Sequence, residues 1–535
     1  MITRLKSATF MGISAIPVDV EVFITTGIPG IMIVGLPDAS TKEAKDRVRA
    51  AIKNSGFDYP VKKITINLAP ADIRKAGSAF DLPFAIAILI SARLLKCKVN
   101  LDDYIIAGEL SLNGKLNKVN GVIALGILAK KLNKAVIIPD ENKETAKFLG
   151  VSFKSFDTLK DVCMFISGEK GELTCASLKE NNLPNFMDNG GNFSDEHFNL
   201  YVKQDELKEN KNDYWPDFLD IKGHGLAKRA LEVAVSGRHN ILMVGPPGSG
   251  KTMIAKSAMG ILPDISLKES IETSNICSFS NKKFKEEGSL ISKRPFISVH
   301  HTITTAGLIG GGGANPVPGD ISLAHNGVLF IDEFSELNKK TLDSLRQPME
   351  DKVINLSRSR FSVLFPCDFM LIAAMNPCPC GYCGDEKHEC RCTSAEIYKF
   401  YNKLSGPILD RFDIFIEVYS VNLEKLMDNK TGESSKEVKE RIKRTGKFQS
   451  ERRAGRGVRF NSSLNGAGIR EHINIPDAAL SFYNEVCQKL NISSRAYHRT
   501  LKVARTIADI GGKDVLDEDS ILEALNYRNT KFLGV

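Results

Sequence analysis

The stretch Ile241-Leu-Met-Val-Gly-Pro-Pro-Gly-Ser-Gly-Lys-Thr252 decides how this chain is read. Four apolar residues suited to a buried strand run into Gly-x4-Gly-Lys-Thr, with a helix expected directly after. In such a loop Gly245, Gly248 and Gly250 let backbone N–H groups curl around phosphate, and Pro246, Pro247 and Ser249 complete the turn. Lys251 reaches the β and γ phosphates, and the Thr252 hydroxyl ligates magnesium. The helix offers its positive end to the same anion. ATP and Mg2+ are the cofactors this pattern asks for.

Downstream, Gly327-Val-Leu-Phe-Ile-Asp-Glu333 is a second buried strand with two carboxylates at its C-terminal end, where ligands bind in open α/β sheets. Asp332 is suited to hold magnesium and Glu333 to polarise an attacking water. Met370-Leu-Ile-Ala-Ala-Met-Asn376 delivers an amide from a third strand, so Asn376 is a candidate to orient that water or read the γ phosphate. Arg411, between a helix and a strand, and Arg495, opening a C-terminal helix, are candidates to meet the γ phosphate, from a neighbouring subunit in the case of a finger. The alternative for each is an internal ion pair, with Asp410 or Asp413 as the nearest acids.

Working outward, strands alternating with helices over 214–420 predict a parallel sheet with crossovers. Residues 1–170 read as a separate α/β unit, with strands over Val18–Thr25, Lys63–Asn67 and Ala135–Pro139. Helices are expected there over Thr41–Ser55, Ala79–Leu95 and Val122–Leu132. Polar composition marks 171–213 as a linker and 421–460 as a basic connecting segment, and helical periodicity resumes over 461–535. The class is α/β with a helical C-terminal lid.

With 535 residues, 42% hydrophobic and 25% charged, the chain is long enough for about three or four domains and is not a disordered or collagen-like polymer. Its longest apolar run, Leu82–Ile90, is far below the ~18 residues needed to span a bilayer. No sustained apolar stretch opens the chain, so no secretory leader and a cytoplasmic location are expected. Net charge is +8, and Lys436–Arg459 alone holds ten Lys or Arg against three Asp or Glu. A concentrated cationic run suits an anionic polymer such as DNA, the alternative being a solvated helix face. Five of eleven cysteines crowd between Cys378 and Cys392. Cys378, Cys380, Cys390 and Cys392 could supply four thiolates to a structural Zn2+, or remain reduced thiols in a loop.

Together these residues resemble AAA+ ATPases, and more narrowly their magnesium-chelatase-like branch. The signature runs through His300-His-Thr-Ile-Thr-Thr-Ala-Gly-Leu-Ile-Gly-Gly-Gly-Gly313 and Pro318-Gly-Asp-Ile-Ser-Leu-Ala-His-Asn-Gly-Val-Leu-Phe-Ile-Asp-Glu333. Leu345-Arg-Gln-Pro-Met-Glu350, Asn376-Pro-Cys-Pro-Cys-Gly381 and Ser494-Arg-Ala-Tyr-His-Arg-Thr-Leu-Lys-Val-Ala-Arg505 are similar to the ComM or YifB subgroup. The resemblance implies Arg411 as arginine finger, Arg495 as sensor-2 arginine, a homo-hexameric ring with ATP between subunits, and a DNA branch-migration helicase of natural transformation. Gly310–Gly313 and Ser357-Arg-Ser-Arg360, just before the third strand, are candidate pore elements of such a ring, the alternative being ordinary turns. A chelatase motor is a rival, but it needs an Asp-x-Ser-x-Ser partner domain that this chain lacks, so no porphyrin substrate is expected; a protein-remodelling ATPase is another.

Residues 1–170 resemble the S5-type domain that also forms the proteolytic part of Lon, through Lys75-Ala-Gly-Ser-Ala79 and Gly108-Glu-Leu-Ser-Leu-Asn-Gly114. Ser78 lies near the nucleophile position, but Ile123 stands where the required lysine belongs and Phe80 where a glycine does. The expectation is a fold without its peptidase chemistry.

Overall fold

The computed structural model of the chain describes residues 2–169, 215–280, 290–313, 316–358, 361–385, 387–421, 432–452 and 460–528. The expected linker 171–213 lies outside them, as do Arg360, Arg453, Arg456 and Arg459.

The first unit is a seven-stranded mixed sheet. β1 (Ile2–Met11) and β2 (Ser14–Thr25) form a long antiparallel hairpin, followed by β3 (Gly30–Val34), α1 (Ala39–Asn54), β4 (Lys63–Ala69) and α2 (Asp81–Ser91). The chain continues through β5 (Tyr104–Ile106), α3 (Val122–Lys131), β6 (Ala135–Pro139), β7 (Phe153–Phe156) and α4 (Leu159–Ser167). Strand order is β3-β4-β2-β1-β5-β6-β7. α2 is apolar all round and correspondingly buried, packed on α1, β1 and β2. The helix expected over Ala79–Leu95 stops at Ser91, where the chain leaves helical geometry and Arg93 turns left-handed (φ 60°).

The second unit begins with α5 (Gly225–Gly237), β8 (Ile241–Val244), α6 (Lys251–Ile261), α7 (Leu267–Ser278), β9 (Phe296–Val299) and β10 (Val328–Ile331). A hairpin of β11 (Val353–Arg358) and β12 (Phe361–Pro366) precedes β13 (Met370–Met375) and β14 (Ile414–Glu417). The five strands β9-β10-β13-β8-β14 run parallel throughout. β8, β10 and β13 are buried at every position, because helices cover both faces, and they therefore appear in the sequence as unbroken apolar runs.

α8 (Ser435–Arg452) forms within the basic segment and buries Val438 and Ile442. With α9 (Asp477–Lys489), α10 (Ser494–Ile510) and α11 (Glu518–Asn526) it shares one hydrophobic core with the sheet, where Leu501, Ala504 and Ile507 join Ile241, Met243 and Ile372.

The two units are in contact. Phe10 packs on Phe279 with ring centres 5.5 Å apart, and the Asn275 amide donates to the Ile13 carbonyl at 3.1 Å. Ile123 and Phe148 are buried with Ile265, Leu267 and Leu290. The β1–β2 turn meets the β11–β12 hairpin at Gly12, whose φ is 58° and whose missing Cβ would lie 2.2 Å from a Val363 methyl. Only glycine combines that backbone with that approach.

Candidate active site

β8 ends at Val244, and the chain turns through Gly248 and Gly250 (φ 75° and 87°) into α6. A Cβ at Gly245 would stand 2.0 Å from the Val418 carbonyl oxygen, so the loop runs tight against the residue that follows β14. The buried Lys251 ammonium donates to the Gly245 and Pro246 carbonyls at 2.6 and 2.8 Å and to Asn376 Oδ1 at 3.4 Å. Burial pushes this amine down to about 8, with Asp332 acting the other way. The Thr252 hydroxyl donates to Asp332 Oδ2 at 2.7 Å. Lys251, Thr252, Asp332 and Asn376 thus converge at the C-terminal ends of β8, β10 and β13. The expected magnesium pair is within bonding distance, and the lysine is coiled back on carbonyls where a phosphate would be a stronger partner.

Glu333 follows Asp332 in left-handed geometry (φ 50°), and its carboxylate lies 2.5 Å from His301 Nδ1. The His300 and His301 rings pack 4.1 Å apart. His301 enters the sequence argument only as part of a signature; its place just after β9, beside β10, is what brings it to Glu333. A second feature missed by sequence is a cavity of about 660 Å3 beside the loop, bounded by His224, Lys228, Arg229 and Glu232 and by Val438 and Arg441 of α8. Gly250 connects it to the loop, since a Cβ there would lie 3.5 Å from His224 Nε2. The available signal was Lys222-Gly-His-Gly-Leu-Ala-Lys-Arg229, a basic entry to the helix before the strand.

Arg411 is not brought to this loop. Asn240, just before β8, donates its side-chain amide to the Arg411 carbonyl at 3.1 Å. That puts the Arg411 turn at the opposite end of the strand from the loop, four residues or about 13 Å away. Its guanidinium donates to the Arg346 and Pro407 carbonyls at 3.0 and 2.6 Å and to Glu350. The acid paired with Arg411 is therefore Glu350, not Asp410 or Asp413; Asp413 is taken by Arg499 at 2.6 Å. Arg495 is exposed in the first turn of α10.

The basic run is more self-paired than its sequence implies. Arg441 binds Glu232 and Glu433, Lys439 and Lys443 bind Asp264, and Arg452 binds the buried Asp509. Arg452→Ala is accordingly expected to lower the melting temperature, by up to about 3 kcal/mol of stability, because Asp509 loses a partner. It should leave any polyanion affinity little changed; a variant that melts normally but loses such affinity would reverse this assignment.

In the first unit the Ser78 hydroxyl donates to the Glu109 carboxylate, and the buried Lys75 ammonium donates to the Pro70 carbonyl. Ile123 faces the inter-unit cluster instead. Ser78→Ala is expected to leave casein cleavage at background, equal to the wild type; cleavage that disappears in the variant would show a working nucleophile.

The four-cysteine set gathers as the spacing suggested. The sulfurs of Cys378, Cys380, Cys390 and Cys392 lie within 4.8 Å of one another, with Cys378–Cys380, Cys378–Cys390 and Cys380–Cys390 at 3.3, 3.7 and 3.6 Å. Tetrahedral bonds of ~2.3 Å to one zinc would set sulfurs about 3.8 Å apart. Cys383 stands outside this set and donates its backbone N–H to Cys378 Sγ at 3.3 Å. The knuckle abuts the phosphate loop, since a Cβ on Gly381 would come 2.8 Å from Pro247. Among the described residues no helix is long and apolar enough to cross a membrane.

Known proteins align with this architecture along nearly the whole chain. Residues 217–426 match the family described as magnesium chelatase, subunit ChlI, residues 20–142 that of subunit ChlI of Mg-chelatase, and residues 432–528 its C-terminal family. Competence protein ComM of Haemophilus influenzae is 40% identical over 526 residues, covering 98% of this chain and 96% of its own. YifB of Escherichia coli (strain K12) is 39% identical over 521 residues, covering 97% and 95%. Lon protease 2 of Bacillus subtilis is 30% identical over 183 residues, covering 30% of this chain and 33% of its own. The chain belongs to the magnesium-chelatase-like AAA+ family, in the ComM and YifB subgroup.

Proposed function

We propose that this chain is an ATP-driven ring motor acting on DNA. The observation carrying this reading is the convergence of Lys251, Thr252, Asp332 and Asn376 at the ends of three parallel strands, beside a cavity sized for a nucleoside. The loop N–H groups and Lys251 hold the phosphates, Thr252 and Asp332 hold Mg2+, and the cavity between 221–232 and α8 takes base and ribose. Bound Mg2+ supplies charge neutralisation at the γ phosphate. Glu333 polarises water once it parts from His301, and Asn376 orients that water. Arg411 and Arg495 serve a neighbouring subunit's nucleotide, which the placement of the Arg411 turn away from its own loop supports; a homo-hexamer provides that neighbour.

The DNA assignment draws on the likeness to a protein named for competence, and the branch-migration role in natural transformation is what the resemblance of the sequence implies. Exposed Lys436 and Arg444 on α8, which enter none of these ion pairs, remain for phosphate contact. The test is ATP turnover with no DNA and with single-stranded, duplex and forked DNA. Stimulation by at least one form is expected, greatest for the fork. Turnover indifferent to every DNA but raised by an unfolded protein would favour a remodelling ATPase instead.

The cysteine knuckle, in the same reading, holds one structural Zn2+ per chain. Metal analysis of the purified protein should find it, and Cys390→Ser should lose the metal and weaken nucleotide binding through the Gly381–Pro247 contact. Metal-free protein with unchanged melting and binding would leave the cluster as plain thiols.

A further inference from the structure

The turn that carries Arg411 is gripped from two sides. Asn240 Nδ2 and Arg499 Nη1 both donate to the Arg411 carbonyl, at 3.1 and 3.3 Å, and Arg528 Nη1 donates to the next carbonyl, that of Phe412, at 3.2 Å. Arg499 Nη1 also lies 2.6 Å from Asp413 Oδ1. The other carboxylate oxygen of Asp413 accepts the Asn240 backbone N–H at 3.2 Å and faces the His239 ring at 3.4 Å. Asp413 is only 3% exposed, so this is an internal clamp and not a surface pair. Arg499 stands on α10 four residues after Arg495, one turn along the same helix.

We propose that Arg499 is a positioning residue for Arg411, tying the 410–413 turn to α10 so that Arg411 and Arg495 are presented to the neighbouring nucleotide as one unit. This rests on the reading of Arg411 as a group donated between subunits. A guanidinium is suited to the task because it is rigid and permanently charged, and can hold a carbonyl and a carboxylate together in a fixed direction. Through this clamp any displacement of the C-terminal helices is transmitted to the finger, although Arg499 itself touches no nucleotide.

The test uses full-length protein carrying Arg499→Gln with Asp413→Asn, which exchanges the ion pair for a neutral amide pair and so strands neither partner's charge. Arg499→Lys and Arg411→Ala are made beside it, and each is assayed alone and mixed with Lys251→Ala. The double variant is expected to bind a fluorescent ATP analogue within about twofold of wild type and to lose turnover by about tenfold to a hundredfold, as misplacement of a catalytic group by ~1 Å does. Mixing with Lys251→Ala should restore part of that turnover, since Lys251→Ala subunits carry intact arginines that face the variant's intact loop. A defect that merely unfolded the variant's own site would not be restored. Wild-type turnover in the pure double variant, or rescue of Arg411→Ala without rescue of the double variant, overturns the inference alone. If neither is rescued despite proven co-assembly, the shared site itself fails and takes the inference with it. Should the double variant unfold, Arg499→Lys carries the same comparison, because it keeps the charge beside Asp413 and loses the fork.

Discussion

Glu333→Gln should bind MgATP as tightly as the wild type and hydrolyse it about 100-fold to 10,000-fold more slowly, the range a positioned general base contributes. Glutamine keeps the size and one acceptor oxygen of the side chain but cannot take a proton. The groups assigned to phosphate and magnesium, Lys251, Thr252 and Asp332, are untouched by the change. The left-handed backbone at residue 333 is set by the turn out of β10 and the short helical turn Phe334–Glu336 that follows, so the variant should retain the fold. Equilibrium binding of a fluorescent nucleotide with steady-state phosphate release separates the two effects. Turnover near the wild-type rate would remove Glu333 from the base role and point to another group.

Ile123→Lys is expected to destabilise the protein by about 3–5 kcal/mol, the cost of an unpaired buried charge or of the proton lost to avoid one. Ile123 is 4% exposed and packs with Phe148, Ile265, Leu267 and Leu290, so the new ammonium would meet carbon on every side at the contact between the two units. Restoring the residue type of a Lon-type dyad should therefore give no peptidase, only a lower melting temperature and faster proteolysis between the units. Melting within a degree or two of wild type would mean that the contact is loose enough to let the side chain escape to water. The departure from the protease pattern at this position is explained by packing: the residue has become part of a joint.

What could be read in the sequence divides along a physical line. β8 with its loop, β10 with Asp332 and β13 with Asn376 were legible because buried parallel strands are continuous apolar runs and because glycines mark where backbone must wrap an anion. The four-thiol set was legible because its members are near neighbours in the chain. Partners set by tertiary contact were not. His301 meets Glu333 only because β9 and β10 lie side by side, and Arg499 reaches Asp413 from a helix 86 positions later. The basic run shows the same limit: a count of charges cannot reveal that Glu232, Asp264 and Asp509 lie opposite several of them. The β1 strand was also missed, since its burial pattern does not alternate cleanly along Ile2–Met11.

The fit at Gly12 bears on how such a protein can be recombined. Its left-handed turn is moulded to Val363 and Phe365 of a hairpin some 350 positions away in the chain. A chimaera that grafts the first unit of one relative onto the motor of another must therefore carry these two hairpin side chains with the turn. Otherwise a larger residue on either side of the seam will pry the halves apart, however well each half folds by itself.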